Sequence, residues 1–296
     1  MPRSVHERAP AKLNLFLEVL GRRPDGYHEI VTVMHEIDLA DDVEVALAPG
    51  PGPRVDLAVE GDPLVPAGAE NTAHAAARLF LERFAPGAAV SIRLEKRVPA
   101  GAGLGGGSSD AAAVLRALPR LLGVAPDAEE LGAVAARVGS DVPFFLAGGG
   151  TAIARGRGER IERIDSRPDI EFVLATPPFP SPTAAVYSAL SFPLTPPARV
   201  PTILVDWLRR RQGRGDRGKV FFNRLEEPAF RIVPGLREFR DRIAAASGSE
   251  AVRMTGSGST FFLALASEES AEEASDRIAR GVPSARISIA RSAGAS

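Results

Sequence analysis

Cysteine is absent from the 296 residues, which excludes disulfides, thiolate metal sites and a cysteine nucleophile. Charge of one sign is not in excess either: 36 basic residues face 37 acidic ones, a formal net charge of −1. So balanced a chain has no broad electrostatic field, whereas a dedicated nucleic-acid binder is usually basic. Aromatics are few, with 14 Phe, 2 Tyr and 1 Trp, which speaks against a base-stacking RNA surface. No apolar run approaches the roughly 20 residues of a membrane helix; the longest, between Asp141 and Arg155, is interrupted by three glycines. The opening MPRSVHERAPAK holds no apolar stretch that could act as a signal-peptide core. The expectation is a soluble, cytoplasmic protein without a membrane or nucleic-acid partner. Lysine is the last scarcity. It occurs only at positions 12, 96 and 219, so arginine supplies 33 of the 36 basic residues. Each surviving lysine asks for a reason, because a compact ammonium and a planar guanidinium are not interchangeable.

What is present is ordinary globular material, 45% hydrophobic and 25% charged, enough for one large or two modest domains. Leu13, Leu15, Leu17 and Val19 alternate at period two and predict a strand, followed by strands at 30–37, 43–47 and 55–59. A helix over 71–84, a strand over 89–98 and helices over 108–122 and 128–138 complete the first part. Past Gly158 come a strand at 170–175, helices near 183–190, 202–211 and 234–246, strands at 252–255 and 260–265, a helix over 267–280 and a strand at 285–290. That ending resembles a split β-α-β sheet with inserted helices, so the boundary is expected near Ile164. The arginine-rich stretch 209–219 reads as an exposed mobile loop, and the last five residues as fraying.

Four segments carry chemistry. In V98-PAGAGLGGGSSDAAA-V114, glycines at 101, 103, 105, 106 and 107 free the backbone of Cβ atoms so that N–H groups can wrap an anion. Ser108 and Ser109 then open a helix whose positive end faces the same anion, for which phosphate is the natural ligand. A flexible surface turn is the competing reading. Gly101, Gly103 and Gly106 satisfy G-x-G-x-x-G, but the flanking residues do not suit a dinucleotide fold. Gly213, Gly218 and Lys219 nearly spell a P-loop, with Val220 where Ser or Thr is required. In PAKLNLFLEVLGRRPDGYHEI, Lys12 and Asn14 share one strand face, either as a functional pair or as a solvated edge. The turn before Tyr27 and His28 sets an aromatic and an imidazole after a tight bend. In GSDVPFFL, Asp141 sits among bulky apolar residues, either as a functional carboxylate or as a helix N-cap. MTGSGSTFF is a second glycine-rich turn between strands, which alone could be a tight hairpin and nothing more.

Together, PAGAGLGGGSS, TGSGST and PAKLNL resemble the three signatures of the GHMP kinases, which phosphorylate small alcohols and acids. The resemblance covers most of the chain in the right order. Within the family, GRRPDGYHE beside the glycine loop and SDVPFF points to a member whose acceptor is 4-diphosphocytidyl-2-C-methyl-D-erythritol, phosphorylated at its C2 hydroxyl in non-mevalonate isoprenoid precursor synthesis. Another GHMP kinase, such as one for homoserine, is the alternative. The resemblance implies an α+β two-domain fold: a ribosomal protein S5 domain 2-like N-terminal domain (1–164) and a ferredoxin-like C-terminal domain (165–296), with the site in the cleft between them. It implies ATP held by Pro99, Ala100, Gly101, Ala102, Gly103, Leu104, Gly105, Gly106, Gly107, Ser108 and Ser109. Asp141 then matches the catalytic base, and Lys12 the catalytic lysine that keeps Asp141 ionised and stabilises the transferring group. Asn14, Tyr27, His28, Thr183, Tyr187, Gly256 and Ser257 match the acceptor site, with Tyr27 and Tyr187 sandwiching the cytosine and His28 reading its edge. Mg²⁺ is expected with ATP; no acidic pair is dedicated to it, and Ser108 or Ser109 is a candidate for one ligand. Residues 223–226, Asn-Arg-Leu-Glu, depart from the Asn-Asp-Leu-Glu expected of the family. The oligomeric state is left open.

Overall fold

The structure is a computed structural model and describes residues 3–166, 169–191, 202–210, 220–265 and 270–293. Two long strands, β1 (Ser4–Arg22) and β2 (His28–Leu47), run through both of the compact units into which the chain divides. The first unit takes the chain up to Ala11, then Leu39–Ala100 and Gly105–Gly149; the second takes Lys12–Asp38, Gly101–Leu104 and the chain from Gly150 onward.

The first unit holds β3 (Arg54–Glu60), α1 (Thr72–Phe84), β4 (Ala89–Glu95), α2 (Gly106–Leu122), α3 (Ala128–Val138) and α4 (Val142–Leu146). β3 lies parallel to β4 with Val55 opposite Val90, and β2 antiparallel to β4 with Val43 opposite Leu94. Asn71 starts α1, its side chain accepting from the Ala73 N–H. Ala73, Ala76, Ala77, Phe80 and Leu81 then bury one stripe at helical spacing. α2 begins at Gly106, two residues before the expected Ser108, because glycines with poor helix propensity nonetheless close its first turn.

In the second unit follow β5 (Thr151–Gly156), β6 (Arg160–Arg163), β7 (Glu171–Thr176), α5 (Thr183–Ser188), α6 (Thr202–Arg210), β8 (Phe222–Asn223), α7 (Glu226–Ile232), α8 (Leu236–Ser247), β9 (Arg253–Met254), β10 (Phe261–Ala264), α9 (Ala271–Gly281) and β11 (Arg286–Arg291). A four-stranded sheet in the order β11-β7-β10-β9 is antiparallel throughout, the ferredoxin-like pattern expected of this half. Phe261, Leu263, Val252, Ile243 and Ile278 fill its core.

Several elements differ from expectation. The strands at 30–37 and 43–47 are one continuous strand, because the polar stretch between them includes a buried Asp41 rather than a turn. The hairpin β5–β6 and the short helices α4 and α7 lie outside the expected elements: β5 is buried on both faces and shows no alternation, and the two helices are too brief to show a period. Ser292, expected to fray, is buried and bridges to Ile37. In the arginine-rich stretch, Arg209 and Arg210 end α6, while 211–219 lie outside the described residues, as do 294–296 of the tail.

Candidate active site

Burial decides how Lys12 and Asn14 are to be read: each is only 3% exposed, so β1 is no solvated edge here. The Lys12 ammonium donates to Asn14 Oδ1 at 2.5 Å and to the Gly103 carbonyl at 2.9 Å, while its backbone N–H donates to Leu104 O at 2.9 Å. These bonds orient the ammonium through neutral oxygens. Asn14 Nδ2 donates to Thr32 Oγ1 at 2.8 Å, and Thr32 Oγ1 in turn to Phe16 O at 2.6 Å. From the other side the Asn14 N–H donates to Thr255 Oγ1 at 3.0 Å. The segment Gly101–Leu104 is thereby lodged against the turn 255–260, with Thr260 N donating to Ala102 O at 3.1 Å. Gly103 has φ +78°, and a Cβ there would lie 2.2 Å from Thr255 O; only glycine fits. Gly256, at φ +58°, likewise faces Asn14 Oδ1 and Gly103 O.

The TGSGST segment is thus more than a hairpin turn. Thr183 Oγ1 and Ser257 Oγ share a hydrogen bond of 2.7 Å, and Ser181 Oγ donates to Ser257 O at 2.6 Å, tying α5 to the turn. Asn223 Nδ2 donates to the carbonyls of Met254 and Gly256, both at 2.7 Å. Thr255 and Asn223 are therefore members of this cluster that sequence reasoning did not single out; only the tertiary fold brings positions 14, 103, 223 and 255 together. The departure at position 224 also acquires a partner. Arg224 reaches the fully buried Glu18 with two hydrogen bonds of 2.7 Å and lies 4.9 Å over the Phe222 ring.

In the first unit, the N-terminus of α2 presents the donors expected of a phosphate cradle. Its N-cap is Gly105, left-handed at φ +74°, which has no side chain with which to cap the first-turn N–H groups. Ser109 is buried and its hydroxyl has no partner. Pro99 and Ala100 lead into the loop, Ala100 N donating to Asp62 Oδ2 at 3.3 Å. Gly107 packs under Thr72, whose hydroxyl donates to Gly107 O at 2.7 Å. Asp141 stands at the N-cap position of α4, and its side chain makes no capping bond there.

The aromatics expected at the acceptor site, Tyr27 and Tyr187, and the imidazole of His28 are all in the second unit. Tyr27 is 54% exposed, with the Arg157 guanidinium 4.7 Å over its ring. Tyr187 is stacked by His28, centroids 5.1 Å apart at 30°. Burial, aided by the nearby charge of Arg22, lowers the His28 pKa, which favours the neutral ring with one donor and one acceptor nitrogen.

Comparison with known proteins places the chain. Residues 71–149 match the N-terminal domain of the GHMP kinases and residues 207–284 their C-terminal domain. The chain belongs to the GHMP kinases and, among them, to the 4-diphosphocytidyl-2-C-methyl-D-erythritol kinase family. The enzyme of that name from Pelotomaculum thermopropionicum is 41% identical over 92% of this chain and 93% of its own. That from Geobacter metallireducens is 40% identical over 93% and 94%. A crystal structure of 4-(cytidine 5'-diphospho)-2C-methyl-D-erythritol kinase superposes with a TM-score of 0.78 at 39% identity, covering 98% of this chain and 100% of the other. Homoserine kinase from Cytophaga hutchinsonii shares the fold, with a TM-score of 0.71 at 20% identity over 99% and 95%.

Proposed function

We infer that this protein transfers the γ-phosphoryl group of ATP to the C2 hydroxyl of 4-diphosphocytidyl-2-C-methyl-D-erythritol, within the non-mevalonate route to isoprenoid precursors. What carries the choice of acceptor is the identity of about two in five residues along nearly the whole of relatives bearing that name, against one in five for a homoserine kinase of the same fold. The chemistry follows from the residues. Asp141 accepts the hydroxyl proton as the oxygen attacks the γ-phosphorus and the bond to ADP breaks. Lys12, oriented by Asn14 and Gly103, places its ammonium for the charge on the transferring group. The first-turn N–H groups of α2 and the glycine loop receive the phosphates. Tyr27, His28 and Tyr187 receive the cytosine, and Asn14, Thr183, Gly256 and Ser257 the rest of the acceptor.

Among the described residues there is no cluster of three acidic or histidine side chains that could cage a metal. Mg²⁺ retains waters and often has only one or two protein ligands; Ser108 or Ser109, the latter with a buried hydroxyl that has no partner, would supply one, and the ion would screen the charge of the ATP phosphates. A cytoplasmic location goes with the proposed reaction; among the described residues no helix is long and apolar enough to cross a membrane. Phosphate transfer from ATP, assayed in parallel against 4-diphosphocytidyl-2-C-methyl-D-erythritol, mevalonate and homoserine, tests the inference. Turnover of the first alone is expected; a preference for either of the others overturns it.

A further inference from the structure

Lys96 is the second of the three lysines in an arginine-writing chain, and the proposed reaction does not use it. It follows β4 directly, is 6% exposed, and lies between two carboxylates that are themselves buried. Its ammonium reaches Asp41 Oδ2 on β2 and Asp110 Oδ2 on α2, each at 2.5 Å. The other oxygen of Asp41 accepts the backbone N–H groups of Arg97 at 2.5 Å and Val98 at 2.8 Å. Asp41 thus fixes the backbone that leads into Pro99, and Lys96 relays that anchor to the start of α2, beyond Ser109. The whole glycine-rich loop lies between these two fixed ends.

We propose that Lys96, Asp41 and Asp110 are positioning residues for ATP binding, a buried clamp on both ends of the phosphate loop. The proposal rests on the reading of that loop as the ATP site. A lysine suits the place because one compact ammonium can donate to two carboxylates at once, whereas a planar guanidinium needs room. Room is short: a Cβ on Gly106 would already stand 3.0 Å from Val98 Cγ1 and 3.4 Å from Asp41 Oδ2. Stability alone does not account for Asp110. Lys96 with Asp41 is a balanced pair, and a second buried carboxylate adds desolvation cost without a second cation. Burial pushes the Asp110 carboxyl up to about 7, against the pull of Lys96 and with the push of Asp41, and its Oδ1 is buried without a partner. A costly group held at the first turns of the phosphate helix is explained by what it holds.

Asp110→Ala separates the two roles, since it leaves the balanced pair of Lys96 and Asp41. The expected result is a KM for ATP raised about tenfold or more, because small displacements of binding groups carry penalties of that size, with kcat at saturating ATP and the acceptor KM within about threefold of wild type. Calorimetric ATP affinity falls in parallel, the melting temperature does not, and Asp110→Asn, which keeps an oxygen for Lys96, restores the KM. Should the alanine variant not fold, Asp110→Ser is read by the same outcomes. An unchanged KM for ATP in the folded variant, or an equal rise in both KM values, overturns the clamp. Wild-type protein that binds ATP but ignores the cytidine acceptor instead overturns the proposed acceptor, while the calorimetric arm still tests the clamp.

Discussion

Asn14 Oδ1 and Gly103 O hold the ammonium of Lys12 at 2.5 and 2.9 Å in a buried setting, matched to a compact head group rather than a planar fork. Lys12→Arg is therefore expected to abolish most phosphate transfer, and Asp141→Asn to lower kcat by about 10²-fold or more with ATP still bound, as loss of a general base does. Steady-state kinetics beside calorimetry checks both; near-normal kcat in either variant contradicts the assigned role. Gly103 is required for a reason beyond the proposed access to phosphate. Its missing side chain leaves space that Thr255 O already occupies, so even Gly103→Ala must displace the acceptor of Lys12. Thermal melting and turnover should both fall in that variant, whereas an obstacle to phosphate alone would leave the melting temperature unchanged. At the proposed cytosine site, Tyr187 and His28 stack on each other, while Tyr27 is exposed beneath Arg157. Tyr187→Ala is expected to raise the acceptor KM about tenfold and leave that for ATP unchanged, in line with stacking worth roughly 1–3 kcal/mol per ring.

At the scale of elements, α2 joins a donor-rich first turn to a buried ionisable cluster. Between the ordinary value of 3.8 and about 7, the folded protein holds a proton on Asp110 that the unfolded chain releases. Stability contributed by that proton is present at low pH and lost as pH rises through this window. Asp110→Asn lacks the titration, so its melting temperature relative to wild type should be more favourable at pH 8 than at pH 5. A pH-independent difference between the two proteins contradicts the assignment. Much of this element was legible in the sequence: the glycine run, the serines and the alanine-rich helix follow directly from residue types. Its start at Gly106 was not, since propensity argues against glycine in a helix and only the surrounding packing overrules it. The continuity of β2 was hidden for a similar reason. Asp41 reads as a turn residue until its partners Lys96, Arg97 and Val98 are seen.

On the scale of the whole molecule, contacts join distant parts of the sequence. His35 is buried between Thr151 Oγ1 at 2.9 Å and Ser292 Oγ at 2.8 Å, and burial lowers its pKa from 6.5 to about 4. The unfolded chain binds a proton in that window and the folded one does not, so stability is complete above about 6.5 and is lost as pH falls toward 4. His35→Gln should lose less melting temperature than wild type between pH 7 and pH 4; an equal loss assigns the acid sensitivity elsewhere. Residue chemistry and local spacing were enough to determine the glycine run that leads into α2, the shared face of Lys12 and Asn14 and the family resemblance that implied the α+β class, because each depends on neighbours a few residues apart. Tertiary structure alone decided that Thr255 and Asn223 join Lys12 and Asn14, that Glu18 meets Arg224, and that Lys96 bridges two aspartates. Those meetings join positions 14 and 255, 18 and 224, or 41 and 96, and no periodicity reports them. They exist because burial leaves a polar group only the partners that the fold brings within reach.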